Sequence, residues 1–153
     1  MKSLSFFASL FLLALPAAAQ QCALSLTEPA KLRVARKGFT EQRLKLSLPA
    51  GCHANSNAPL ESFLIPLKMT WTPGAVETAE TVYPKPSMEK YDFAEKPMSV
   101  VGGQFEIVTM FKRSAIAQPG PSSLTGKLRY QACNDKMCFP PKTIDVRLPL
   151  LLE

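Results

Sequence analysis

The sequence predicts an all-β chain folded as an antiparallel β-sandwich. Three observations lead there. Apolar and polar residues alternate with period two in several stretches, while helical periodicity is hard to find. Turn signals separate these stretches, leaving seven or so short strands. Proline is frequent, at 14 of 153 residues, and glycine modest, at 7.

The first residues stand apart from the fold. Lys2 gives a positive start, residues 4–15 are an apolar run, and Pro16, Ala17, Ala18 and Ala19 form a small-residue exit. That pattern is a secretory signal peptide over 1–19, with cleavage after Ala19. The apolar stretch is short for a membrane span of roughly 20 residues. A lipoprotein signal would need small residues where Gln20 and Gln21 precede Cys22. The mature chain, 20–153, has 134 residues. This suits one domain with one core, and it carries no later stretch fit to cross a bilayer.

Strand signals then follow in order. Leu32 and Val34 alternate with Lys31 and Arg33, and Leu44, Leu46 and Leu48 with Arg43, Lys45 and Ser47. Residues 63–71 read as a strand that Pro66 demotes in part to an edge or bulge. A short strand is expected over 77–83. Val100 and Val101 lead into Gly102 and Gly103, with 105–111 beyond, which predicts a tight hairpin. Residues 124–132 and 143–150 close the domain, with Leu128 and Tyr130, then Ile144, Val146 and Leu148, in alternation. The segment 84–97 differs. It holds Pro84, Pro86 and Pro97 around Glu89, Lys90, Tyr91, Asp92 and Phe93. A loop of this length in a compact domain is either functional or an ordinary surface connection.

Charge narrows the functional classes. Without Lys2 the chain has 17 Lys and Arg against 12 Asp and Glu, a net charge of +5. The basic residues are scattered between apolar ones, as on the wet faces of strands. A nucleic-acid site would cluster them with aromatic residues, so no nucleic-acid partner is expected.

Four cysteines remain after export: Cys22, Cys52, Cys133 and Cys138. In an oxidising compartment an even count predicts disulfides, with three possible connectivities. Cys133 ends one strand pattern and Cys138 begins the next, so the pair brackets a hairpin tip. Facing antiparallel residues lie about 5.5 or 4.5 Å apart, within disulfide range. A bond closing so short a loop stabilises by only roughly 2 kcal/mol, against nearly 4 for a loop the size of 22–52. As a staple it is weak. Pro140 and Pro141 fix two φ angles beside Cys138 and remove two backbone donors, a stiffness useful where a partner docks. Lys136 favours a thiolate there and Asp135 offsets it. A zinc site from Cys52, His53, Cys133 and Cys138 lacks the short paired CxxC knuckles, so no metal is expected. His53 by itself reads as a strand-end residue making a hydrogen bond. A core bridge between Cys52 and Cys133, of the antibody kind, is disfavoured. Tyr130 stands three residues before Cys133, so the two side chains face opposite sides of a strand.

The run "GKLRYQACNDKMCFPPKT" (126–143) resembles the active-site hairpin of the N-terminal periplasmic domain of the DsbD thiol:disulfide interchange family. "LPAGCHANSNAPLESFLIPLKMTW" (48–71) and "YPKP" (83–86) resemble earlier segments of it. The resemblance covers nearly all of the mature chain, and its most specific part is the YQxC-x4-C-[FY]-P-P run. It implies an immunoglobulin-like sandwich and a periplasmic redox role without a cofactor. In the family, electrons arrive from a membrane conduit through a thioredoxin-like domain. They pass on to periplasmic disulfide isomerases and cytochrome c maturation proteins. Carried over, Cys133 and Cys138 form the redox disulfide, with Cys138 making mixed disulfides and Cys133 resolving them. The family's cap loop falls on Tyr91, Asp92 and Phe93, with Phe93 the first choice as shield of the disulfide and Tyr91 the second. Phe139 and Pro140 line the site. His53 and Asn55 stand where some members place tyrosines, so they line the site or merely cap the strand.

Two departures accompany the resemblance. The sequence shows neither a membrane conduit nor a thioredoxin domain before it ends at Glu153. The expectation is therefore a monomer served by separate thioredoxin-like proteins. Cys22 and Cys52 are extra, Cys52 replacing a usual aromatic, and a structural Cys22–Cys52 bridge is expected. The rival reading is a non-catalytic secreted binding module with two structural disulfides.

Overall fold

The computed structural model describes residues 22–153, so the signal peptide expected over 1–19 lies outside the described residues. The chain is an all-β, immunoglobulin-like sandwich, with no helix among the described residues. None there is therefore long and apolar enough to cross a membrane.

One sheet runs in the order β1 (Ser25–Leu26), β3 (Phe39–Ser47), β9 (Gln104–Arg113) and β6 (Val76–Val82). The second runs β2 (Leu32–Val34), β12 (Lys142–Leu152), β10 (Gly120–Tyr130) and β5 (Lys68–Trp71). A third, smaller sheet runs β11 (Ala132–Cys133), β4 (His53–Asn55), β8 (Met98–Gly102) and β7 (Ser87–Glu89). Pairing is antiparallel except between β12 and the short β2, which run parallel.

The alternation seen in the sequence becomes the core. Leu44 and Leu46 of β3, Ile107 and Phe111 of β9, Leu124 and Leu128 of β10, and Val146, Leu148 and Leu150 of β12 are buried in one cluster. Each such side chain contributes about 1.5–3 kcal/mol by leaving water. Trp71 bridges the two large sheets. Its indole N–H donates to Thr109 Oγ1 at 3.1 Å, and its ring meets Phe111 edge-on at 5.3 Å. Gly126, opposite Trp71 in the β5–β10 ladder, is required there. A Cβ at 126 would lie 2.7 Å from Trp71 Cε3 and 2.9 Å from the Thr70 carbonyl oxygen. The basic residues lie on outer faces as the sequence predicts. Arg43, for example, bonds Glu41 at 2.6 Å and Glu106 at 3.1 Å in solvent, where such pairs stabilise little.

Four strand expectations are corrected. The Gly102–Gly103 pair makes no hairpin. β8 pairs with β4 and β7, whereas β9 pairs with β3 and β6. The glycines turn a corner between sheets, with Gly103 at φ 63°, a left-handed conformation that glycine adopts without a Cβ clash. The strand expected over 63–71 begins only at Lys68. Pro66 lacks the N–H a ladder needs, and Phe63 is 75% exposed. The strand expected over 124–132 is two strands, because the chain changes sheets at Gln131, between β10 and β11. The proline-rich segment 84–97 is not all loop, since Ser87–Glu89 pairs with β8.

Candidate functional site

The third sheet positions the site through its period of two. Ala54, Val101 and Ala132 face the main core. On the alternate positions, His53, Val100, Met98 and Cys133 share the opposite face. His53 is directly opposite Cys133 in the β4–β11 ladder. Met98, Val100 and Cys133 form a second apolar cluster, covered by Leu64, Tyr91, Ala94 and Cys138.

Two disulfides are formed. Cys133–Cys138 closes the hairpin tip, with Cα atoms 3.9 Å apart, nearer than either regular ladder spacing. The turn between them explains the close approach. The Asn134 side-chain oxygen accepts from the N–H groups of Lys136 (2.9 Å) and Met137 (2.8 Å), and the Asn134 N–H donates to the Met137 carbonyl at 2.9 Å. The Phe139 N–H donates to the Ala132 carbonyl at 2.8 Å, closing the hairpin below the bond. Within the pair, Cys133 is 0% exposed, while Cys138 is partly open to solvent.

Cys22–Cys52 closes a 30-residue separation with Cα atoms 5.3 Å apart. It ties the N-terminal segment to the turn before β4. Tyr130 supports the same segment, its hydroxyl accepting from the Leu24 N–H at 3.1 Å. Tyr130 thus lies on the core side with Leu128, through the alternation of β10 itself, since Cys133 belongs to another strand.

An aromatic stack covers the site. His53 and Tyr91 lie face to face at 4.1 Å and 10°, and Phe93 stacks on Tyr91 at 5.6 Å and 19°. Tyr91 belongs to the cluster around the disulfide, whereas Phe93 lies one ring further out and is 38% exposed. Asp92 is exposed between them. The loop is held by local bonds. The Ala94 N–H donates to the Tyr91 carbonyl at 3.0 Å, and Lys90 Nζ donates to the carbonyls of Ala94 and Glu95.

His53 does not make the hydrogen bond expected of it at Nε2, which is buried without a partner. Its ring face is used instead, against Tyr91. Burial pushes the His53 imidazole below its ordinary value, against a smaller upward pull from Glu89, and so favours the neutral ring. Burial, and then Glu89, push the Tyr91 phenol upward.

Asn55 and Gln131 build the wall of the site. The Asn55 side-chain nitrogen donates to the Ile65 carbonyl (3.0 Å) and to Gln131 Oε1 (3.1 Å). Gln131 Oε1 also accepts from the Ile65 N–H, and its Nε2 donates to the Phe139 carbonyl. This network holds the strandless segment 57–66 beside Cys138. Gln131 was given no role from the sequence, although it is the Q of the YQxC run, and that motif position is the signal that could have found it. Met98 and Leu64 were also missed. Phe139 is not drawn to the disulfide but packs on the main core, and Pro140 is exposed. Between the cap loop and segment 57–66 runs a groove of ≈ 520 Å³, with Cys138, Gln131 and Met98 in its lining.

The family described as thiol:disulfide interchange protein DsbD, N-terminal, matches residues 20–150. The chain belongs to that family. Among solved structures it is similar to the N-terminal periplasmic domain of ScsB from Proteus mirabilis. That likeness has a TM-score of 0.59 at 16% identity, over 89% of this chain and 49% of that one. The chain therefore spans about half the length of that ScsB structure, and at this identity the likeness speaks to the fold. The DsbD N-terminal domain of Neisseria meningitidis, in its reduced form, gives a TM-score of 0.48 at 18% identity, over 76% of this chain and 80% of that one. No curated protein matches the sequence. Family and fold together support thiol:disulfide interchange in general.

Proposed function

We propose that this protein passes electron pairs between periplasmic proteins by thiol:disulfide exchange at Cys133 and Cys138. Thioredoxin-like proteins serve as donor and acceptor, with disulfide isomerases or cytochrome c maturation factors downstream. The leader over 1–19 exports a monomeric domain, 20–153, and Cys22–Cys52 is its structural bond. The observation that carries the reading is the asymmetry of the short disulfide: Cys133 is fully buried and Cys138 is partly open. With Cys133 fully buried, an incoming thiolate is offered Cys138.

The chemistry follows from that asymmetry. A donor thiolate attacks Cys138 Sγ, the Cys133–Cys138 bond breaks, and Cys133 leaves as a thiolate. The donor's second thiolate then attacks its own sulfur in the mixed disulfide. This releases reduced Cys138 and oxidised donor, and two electrons have moved. In the forward half, the Cys138 thiolate attacks an acceptor disulfide, and one acceptor sulfur leaves as a thiolate. Cys133 then attacks Cys138 Sγ, closing the bond again and freeing the reduced acceptor. The aromatic rings of Tyr91 and Phe93 keep small oxidants and thiols from Cys138 between partners.

Trapping tests the assignment. Cys133→Ala, mixed with an oxidised thioredoxin-like protein, should accumulate a mixed disulfide through Cys138 that non-reducing electrophoresis resolves. Accumulation only in Cys138→Ala would reverse the two roles. Accumulation in neither would leave the binding-module reading in its place.

A further inference from the structure

The groove beside Cys138 has a composition that exchange chemistry alone does not require. Leu60 is 61% exposed and Phe63 is 75% exposed. Both line the groove, as does Phe93 on the opposite side. Three large exposed apolar side chains thus line the groove that the partly exposed Cys138 also lines, and apolar surface left in water is costly. The groove's charges include a neutralised pair: Lys96 Nζ meets Glu61 Oε1 at 2.9 Å, joining the cap-loop segment to the segment that carries Phe63. The backbone behind this apolar wall is held by Asn55 and Gln131, which bond to Ile65 two residues beyond Phe63.

Covalent geometry says what must occupy this space. A disulfide to Cys138 places the partner's Cα about 4.4–6.8 Å from that of Cys138. Neighbouring residues in an extended partner chain follow at about 3.3 Å each. A partner residue next to its reacting cysteine therefore comes within reach of the groove that Cys138 lines.

We propose that the groove is a specificity site. It receives the partner segment flanking the reacting cysteine, and it selects partners that carry a large apolar side chain next to that cysteine. This rests on the exchange reading above. In the selected step the Cys138 thiolate attacks the partner's cysteine sulfur. The Cys138–partner bond forms, the partner's own disulfide breaks, and its second sulfur leaves as a thiolate.

Two short peptides test it, each carrying one cysteine as a mixed disulfide with thionitrobenzoate. One has Leu and Phe beside the cysteine and the other has Ser on both sides. The pre-reduced, full-length mature protein supplies the electrons, and release of coloured thionitrobenzoate gives the rate. The apolar peptide should react about tenfold faster, the factor expected when one apolar side chain is partly buried. In Phe63→Ser or Leu60→Ser that ratio should fall towards one. Ile116→Ser should keep it, since Ile116 is 87% exposed but not in the groove. Equal rates for both peptides with the unaltered protein would overturn the specificity site while leaving exchange intact. Release from neither peptide, with the protein's thiols titrated as free, would overturn the exchange reading and the specificity site with it.

Discussion

The two disulfides of this domain differ in every respect that matters to their use. Cys22–Cys52 closes a sequence separation of 30 and Cys133–Cys138 one of 5. The first joins the N-terminal segment to the main body, and Cys22 lies within the main core. The second links residues that a four-residue turn already holds together, and it sits in a separate small cluster under the loop that carries Tyr91 and Ala94. Loop-closure entropy scales with the logarithm of loop length, so the long-range bond constrains the unfolded chain far more. What the short bond lacks as a staple it has in access. One of its cysteines is partly exposed, and it lines a groove.

Deleting each bond in turn sharpens that contrast most. Replacing Cys22 and Cys52 together by serine should cost nearly 4 kcal/mol of unfolding free energy, by the loop-entropy estimate of roughly that size. Thiol exchange should persist below the melting transition. Replacing Cys133 and Cys138 should cost only about 2 kcal/mol and abolish exchange. Denaturant titration of the two double variants reads both values, and a larger loss from the 133/138 pair would break the contrast.

The cap comes next in size. Tyr91 lies between the disulfide cluster and Phe93, so Tyr91→Ala should speed reduction of Cys133–Cys138 by small thiols by about tenfold, and Phe93→Ala by less. The estimate takes one aromatic contact at roughly 1 kcal/mol or slightly more. Equal rates in both variants and the unaltered protein, measured by the loss of the bond with time, would remove the shield.

The smallest effect is in pH. Burial lowers the His53 pKa, with Glu89 opposing and the Tyr91 ring against its face. The unfolded or uncapped imidazole takes up its proton near the ordinary value of 6.5, before the folded one does. The contribution of His53 to stability is therefore complete above that value and is lost as pH falls through the lowered folded pKa. Urea midpoints should fall as the pH drops below about 6.5, and His53→Gln should reduce that part of the fall. An unchanged pH profile in His53→Gln would remove the histidine from the cap.

The fold was readable where strands are long and half-buried. Leu44, Leu46, Leu128, Val146 and Leu148 announce their strands because alternate burial leaves a period of two in the sequence. Pairing partners were less readable. Gly102 and Gly103 carry the residue type of a hairpin, yet they serve a corner, because a left-handed turn does not specify which strand comes next to which. β7 was missed because all three of its residues are exposed, leaving no pattern. In the site, the cysteines, the cap-loop aromatics and His53 were visible as residue types. Their arrangement was not. The stacking of His53 on Tyr91 and the bracing of Ile65 by Gln131 join residues 38 and 66 positions apart, and nothing local encodes them. Phe139 looked like a site residue from the [FY]-P-P run beside Cys138, but in the segment between β11 and β12 it packs on the main core.

The central claim, that one bond is exchanged and the other is built in, is most directly measured by stepwise equilibration in thiol redox buffers. Alkylation and mass mapping of each cysteine then follow. The account predicts that Cys133 and Cys138 become free together at a potential above about −300 mV, while Cys22 and Cys52 stay bonded at that potential. A Cys133–Cys138 bond that resists reduction below about −300 mV, or one that opens only after Cys22–Cys52, would contradict it.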